Sequence, residues 1–180
     1  MLLLTGGAGR RFGAPKHLQL HPQGGSWAGY LVTVFETVFP QGPVQILGAP
    51  VPERPELRNV EDLRQGPARA MALWAEKAPV ISSRWWVLAC DQVRWSVPTL
   101  EAWFARARTE DPNGQAWVLA EHKKRVQYLG GFLGASLVSK IAVSDARSLG
   151  EMAAHLPCHT LPATGSEWFD VDCPGDLEGL

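Results

Sequence analysis

Near the start of the chain, Leu4-Thr5-Gly6-Gly7-Ala8-Gly9-Arg10-Arg11-Phe12-Gly13-Ala14-Pro15-Lys16 combines bare backbone with fixed positive charge. Glycine N–H groups have no side chain over them and tolerate positive φ angles, while Arg10, Arg11 and Lys16 supply cations. Such a loop suits a polyanion, above all a phosphate chain. The pattern G-x-x-x-x-G-K-[ST] does not fit, because Gly13 is followed by Ala14 and Lys16 by His17. The dinucleotide pattern G-x-G-x-x-G fails at Phe12.

Acidic residues appear at two later places. Asp91 follows the apolar run Trp85-Trp86-Val87-Leu88-Ala89, and Asp170 and Asp172 alternate at the end of an expected strand, Trp168 to Val171. Carboxylate oxygens beside a triphosphate are the usual ligands of Mg2+, with phosphate and water completing its octahedron. Amides and cations for the phosphates, with carboxylates for the metal, make the division of labour of phosphoryl or nucleotidyl transfer. Each piece also has a plainer reading. The glycine loop is then a tight turn, Asp91 a turn residue, and Asp172 a cap for a helix opening at Pro174. In the same way His122-Lys123-Lys124-Arg125 is a solvated hairpin turn, and His17 and His21 need no role. Trp85 and Trp86 are core residues rather than stacking platforms.

The elements that must position these residues alternate in the manner of an α/β sheet protein. Met1 to Leu4 reads as a strand. Ser26 caps a helix carrying Trp27, Tyr30, Leu31, Val34, Phe35 and Val38 at helical spacing, and Val44 to Leu47 reads as a buried strand. The proline-rich stretch Gly48 to Arg58 reads as a loop or lid. Pro67 opens a helix running to about Lys77, and Ser96 caps another from Val97 to about Ala107. Strands are expected at Ala116 to Ala120, Val126 to Leu129 and His159 to Leu161. Helices are expected at Ala135 to Ala142, at Asp145 to Leu156 with Ser144 as cap, and from Pro174 onward.

With 180 residues, 46% of them apolar and 19% charged, the chain reads as one domain over residues 1–180. A net charge of −1 gives no reason to expect nucleic acid, so a polyanion must be met by a local cluster. Cys90, Cys158 and Cys173 form no C-x-x-C pair and no zinc spacing, which suits a reducing cytoplasm. No apolar run approaches the ~20 residues of a membrane span, and no leader segment is expected.

Taken together, the motifs resemble the nucleotidyltransferase superfamily, and within it the molybdenum cofactor guanylyltransferases. Gly6, Gly7, Arg11, Gly13 and Lys16 match that family's triphosphate loop, and Ala89-Cys90-Asp91-Gln92-Val93 matches its metal-binding Pro-Cys-Asp-Met-Pro. Asp62…Gly66-Pro67-Ala68-Arg69-Ala70 is similar to its Asp…Gly-Pro-Leu-Ala-Gly segment, and Arg147-Ser148-Leu149 matches a helix start. Phe169-Asp170-Val171-Asp172-Cys173-Pro174-Gly175-Asp176-Leu177 resembles its closing Phe-Asn-x-Asn-Thr-Pro-Glu-Asp-Leu.

The resemblance implies a Rossmann-like, doubly wound, mostly parallel sheet with helices on both faces, of the nucleotide-diphospho-sugar transferase type. It implies nucleotide contacts from Leu4, Thr5, Gly6, Gly7, Arg10, Arg11, Gly13, Lys16, Asp62, Gly66 and Pro67. Lys16, Arg11 and Asp91 would be catalytic, and Mg2+ would sit on Asp91, Asp172 and Asp170. The implied reaction transfers GMP from GTP to the terminal phosphate of molybdopterin and releases pyrophosphate. Its setting would be the cytoplasm, with neither nucleic acid nor membrane as partner and with transient contact to other cofactor-biosynthesis proteins or molybdoenzymes.

Departures point to alternatives. Gly9 and Pro15 replace a serine and an aspartate, and Asp170 and Asp172 replace two asparagines. Arg10-Arg11-Phe12-Gly13, Asp91-Gln92 and the D-x-D at 170–172 look more like sister cytidylyltransferases. Another small-phosphate acceptor, or a non-catalytic nucleotide-binding domain, are further readings.

Overall fold

The computed structural model describes residues 1–6, 13–61, 65–79 and 83–177. Apolar runs too short for helices become the central strands. β1 (Leu2–Leu4) and β2 (Gln45–Leu47) are buried throughout, and β4 (Arg84–Ala89) is buried along Trp85–Leu88, as expected of parallel strands covered on both faces. With β3 (Arg58–Val60), β5 (Trp117–His122), β6 (Arg125–Gly134) and β7 (Cys158–Pro162), they form one seven-stranded sheet in the order β3-β2-β1-β4-β6-β5-β7. Only β6 runs against the others.

Alternation along the strands builds two cores. Leu3, Ile46, Trp86, Leu88 and Val118 face α1 (Trp27–Val38) and α3 (Val97–Glu110). Leu2, Leu4, Leu47, Trp85 and Val87 face α2 (Pro67–Ala75), α4 (Val138–Ala142) and α5 (Leu149–Ala154). All eight tryptophans are buried, so Trp85 and Trp86 are core residues. The expected mostly parallel α/β sheet with helices on both faces is the fold observed. No helix among the described residues is long and apolar enough to cross a membrane.

Helix starts follow their caps. Ser26 accepts from the Gly29 N–H at 3.1 Å, and Ser96 and Thr99 form a reciprocal capping box. The next cap differs from expectation. The last α-helix, α5, spans only Leu149–Ala154 and begins at Leu149, not Asp145, because Ser148 accepts from the Glu151 N–H at 3.1 Å while Glu151 accepts from the Arg147 N–H at 2.8 Å. Ser144 accepts only from the Ala146 N–H, within a turn.

Four further expectations are corrected. The Gly48 to Arg58 stretch is pinned rather than lid-like, since Glu53 accepts from both the N–H and the hydroxyl of Ser26 at 2.9 Å. It leads into β3, an edge strand whose exposed Arg58-Asn59 carries no apolar signal. β6 continues beyond Leu129 through three glycines to Gly134. Trp168 to Val171 is not a strand: Ser166–Trp168 is a 3-10 turn and the chain beyond it is irregular. β4 already has β1 and β6 on its two sides, so no ladder position remains beside it. The segment instead crosses the end of β4, with the Val171 N–H donating to the Asp91 carbonyl at 3.0 Å. The helix expected from Pro174 is a single 3-10 turn, Pro174–Leu177.

Candidate active site

β1 and β4 lie side by side with Leu4 opposite Ala89, and the Cys90 N–H donates to the Leu4 carbonyl at 2.9 Å. From β1 the chain turns to β2 on one side, whereas β4 lies on the other. This is the switch point where α/β sheets bind ligands beyond the carboxyl ends of their strands. At the root of the glycine loop, Thr5 is buried and its hydroxyl donates to the Ala49 carbonyl at 2.6 Å. Gly48, at φ +123°, approaches so closely that a Cβ there would lie 2.6 Å from the Gly6 nitrogen.

The chain returns from the loop in the 3-10 turn Lys16–Leu18. This turn is fixed to the start of α1 by the Trp27 N–H donating to the Gln19 carbonyl at 2.8 Å. Its first residue carries the central contact of the site. The Lys16 Nζ lies 2.9 Å from Asp91 Oδ2 and 2.6 Å from Asp172 Oδ1. Side-chain exposure is 17% for Lys16, 21% for Asp91 and 55% for Asp172, so the Asp91 pair is sheltered and the Asp172 side opens to solvent. Burial by itself would lower the Lys16 pKa. The hydrogen bonds and charges of Asp172 and Asp91 outweigh it and raise the value above that of an ordinary lysine. Asp91 Oδ1 is buried and has no hydrogen-bond partner among the described residues.

Asp170 joins the group electrostatically. Desolvation first, then the charges of Asp91 and Asp172, push its carboxyl up to about 6 although the residue as a whole is exposed, and Lys16 offsets this only in part. Among the described residues no three His, Cys, Asp or Glu side chains form a ready-made metal cage. The carboxylates converge on a lysine instead.

Asp172 reaches this place because the segment before it is anchored in the core. Trp168 packs edge-to-face on Trp95 and Trp103, with ring centroids 4.9 Å apart in both pairs. Val171 is buried with Trp27 and Val93. Two residues beyond the expected set then fix the turn. Asp176 Oδ2 accepts from the Asp172 N–H at 2.9 Å and the Cys173 N–H at 2.8 Å, and Arg94 donates to the Asp176 carbonyl. The N–H groups of Cys173 and Asp172 hold the Asp176 carboxyl below the usual carboxylate range. The aspartate four residues beyond Asp172, in Asp-Cys-Pro-Gly-Asp, is the sequence signal for this turn.

Of the residues expected at the site, the structure brings together Lys16, Asp91, Asp172 and Asp170, with Leu4, Thr5 and Gly6 at the adjoining strand end. Gly13 has φ +73°, and Gly66, at φ +92°, precedes Pro67 at the head of α2. Gly66 and Pro67 make no hydrogen bond to Lys16 or the carboxylates. Gly7, Arg10, Arg11 and Asp62 lie outside the described residues. The basic turn lies beside the Asp170 segment: Lys123 Nζ sits 4.4 Å over the Phe169 ring, and the His122 ring meets its edge. His17 and His21 are buried, and His21 stacks on Tyr30 with centroids 3.6 Å apart. Burial and the neighbouring Asp91 charge push the Cys90 thiol far above its ordinary value, which leaves it unsuited as a nucleophile.

Known structures share the whole fold. Molybdopterin-guanine dinucleotide biosynthesis protein A from Archaeoglobus fulgidus superimposes with a TM-score of 0.71 at 16% identity, over 98% of this chain and 94% of that one. Rv0371c from Mycobacterium tuberculosis gives 0.70 at 18% identity, over 99% and 97%. A second structure of that protein, in complex with manganese, gives 0.63 at 16%, over 99% and 97%. The 2-C-methyl-D-erythritol 4-phosphate cytidylyltransferase of Thermus thermophilus gives 0.63 at 14%, over 99% and 95%. No curated protein sequence matches significantly. The MobA-like NTP transferase domain matches residues 1–158, a span that includes the loop, Lys16 and Asp91. The chain therefore belongs to the MobA-like NTP transferase family and is a nucleotidyltransferase.

Proposed function

We propose that this nucleotidyltransferase moves GMP from GTP to the terminal phosphate of molybdopterin. The observation that carries the reading is the convergence of Asp91 and Asp172 on one cation at the β1–β4 switch point, beside the root of the glycine loop. An oxygen of the acceptor phosphate attacks the α-phosphorus of the nucleotide. The bond from that phosphorus to the oxygen bridging the β-phosphorus breaks, and pyrophosphate leaves with the bonding electrons. Catalysis is then positioning and charge neutralisation, with no covalent enzyme intermediate.

The donor set fits Mg2+ or Mn2+, since carboxylate oxygens are hard ligands and Asp91 Oδ1 is buried without a partner among the described residues. Asp91 and Asp172 would hold the metal, with Asp170 beside them, and when bound it supplies positive charge to the triphosphate. The chain's own groups do the rest. In this reading Lys16 and Arg11 would bind phosphate oxygens, amides of Gly6 and Gly7 would meet the phosphate chain, and Asp62, Gly66 and Pro67 would meet the nucleoside.

Guanine is supported by Gly6-Gly7, by the Gly66-Pro67 turn and by Arg147-Ser148-Leu149, each matching the guanylyltransferase pattern. Cytosine is the second reading, favoured by Asp91-Gln92 and by acidic Asp170 and Asp172 in place of asparagines. Thermal unfolding with GTP, CTP or ATP, each with Mg2+, separates the two. A ligand at ~100 times its dissociation constant adds ~2.7 kcal/mol, a shift of several degrees. GTP is expected to give the largest shift, and a larger one from CTP would reassign the base. With GTP and molybdopterin, Lys16→Ala and Asp91→Asn are each expected to lower pyrophosphate release by at least about a hundredfold while the fold is kept. Near-normal turnover in Asp91→Asn would remove it from the metal site.

A further inference from the structure

The Lys16 ammonium stands where two carboxylates meet, 2.9 Å from one and 2.6 Å from the other. Its side chain is 17% exposed and that of Asp91 21%, so little water reaches that pair, while the Asp172 side, 55% exposed, opens to solvent. Removing the lysine would take the cation from the sheltered Asp91 carboxylate, which is unfavourable at its low solvation. A lysine is also a point charge on a flexible four-carbon stem, able to swing to another anion within reach. The glycine loop that would bring that anion is rooted on the adjacent β1.

We infer that Lys16 is the stand-in cation of the free enzyme, occupying the place between Asp91 and Asp172 that a divalent metal takes in the reaction. Metal and lysine then exclude one another, and a divalent cation enters together with a polyphosphate that gives Lys16 a new partner. The inference rests on the metal-binding reading of Asp91 and Asp172 above. Its consequence is thermodynamic coupling. The nucleotide tightens metal binding by the same factor by which the metal tightens nucleotide binding. The exchange keeps the carboxylates neutralised throughout, and it keeps free metal from settling on the site before a substrate arrives.

The test is Mn2+ binding, read from the loss of the free-ion electron paramagnetic resonance signal beyond that caused by the same nucleotide analogue without protein, with no turnover required. Wild type, Lys16→Met and Lys16→Arg are titrated alone and with the α,β-methylene analogue of GTP or of CTP. Without nucleotide, Lys16→Met is expected to bind Mn2+ at least about tenfold more tightly than wild type, and adding Asp91→Asn should abolish the gain. Lys16→Arg keeps a cation in place and should bind as weakly as wild type. An analogue should tighten Mn2+ binding to wild type about tenfold or more, and Lys16→Met by a smaller factor. If Lys16→Met does not fold, Lys16→Arg and the wild-type coupling still decide. Mn2+ binding to wild type that is tight without nucleotide and unchanged by either analogue overturns the exchange while leaving the metal site standing. A failure of Mn2+ to bind wild type even with both analogues overturns the exchange and the metal site together.

Discussion

Asp176 acts on its neighbour through backbone, since one carboxylate oxygen gathers the N–H groups of Asp172 and Cys173 and so aims the Asp172 side chain at Lys16. Replacing it by alanine frees that turn. Asp176→Ala is expected to raise the Mg2+ concentration for half-maximal activity by about tenfold with little loss of melting temperature. Asp176→Asn, whose amide oxygen accepts the same two bonds, should restore it, and a metal titration of the three proteins checks both. Asp170 gives a prediction in pH. Its carboxyl sits at about 6 against an ordinary 3.8, so the folded chain holds this proton more tightly than the unfolded one. That contribution to stability is complete below about pH 4 and is lost as pH rises through 6. Asp170→Asn stays neutral at every pH. It should be more stable than wild type at pH 8 by on the order of 1 kcal/mol, a figure kept small by the exposure of Asp170, and should match it below pH 4. Urea melts at the two pH values decide. The placement of Asp91 was legible because it stands just past a short apolar strand, and that of Lys16 because it closes the glycine-rich segment that follows another. Arg94 was not, because it works through a main-chain carbonyl that side-chain patterns do not register, whereas Asp176 has a signal in Asp-Cys-Pro-Gly-Asp whose positioning role shows only in the fold. Nor did the sequence indicate that Lys16 would rest on carboxylates.

At the scale of elements, β6 shows how a helpful residue can look like a breaker. Gly130, Gly131 and Gly134 read as the end of a strand, yet each is required by a close approach. A Cβ on Gly130 would lie 2.7 Å from the Trp168 ring, one on Gly131 2.7 Å from the Val118 carbonyl oxygen, and one on Gly134 would collide with the Gly114 carbonyl. Gly130 also has φ +88°, and its carbonyl accepts from the indole N–H groups of Trp86 and Trp103. Gly130→Ala combines a left-handed backbone penalty with overpacking against Trp168. It is expected to cost about 2–4 kcal/mol, measured by chemical denaturation. Because Trp168 anchors the segment carrying Asp170 and Asp172, the variant should also need more Mg2+ for activity. Buried strands and well-capped helices were legible from apolar runs and from Ser26 and Ser96. The edge strand β3 was not, since Arg58 and Asn59 face solvent. The segment after Trp168 has a strand's composition, but both sides of β4 were already taken.

At the scale of the whole molecule, the sheet order places β1 beside the central strand β4, so the root of the glycine loop and Asp91 are neighbours although far apart in sequence. Net charge contributes little, at −1, and the substrate's anionic groups must be met locally. One feature of this arrangement bears on how the protein is made. Lys16 and Asp172 are separated by 156 positions along the chain, and Asp172 lies beyond the last sheet strand. At about 5–20 residues per second on the ribosome, Asp172 is synthesised on the order of ten seconds after Lys16. For that interval Lys16 lacks its Asp172 partner, and the contact between them can form only after all seven strands of the sheet have been synthesised, which makes it a late step of folding on the ribosome.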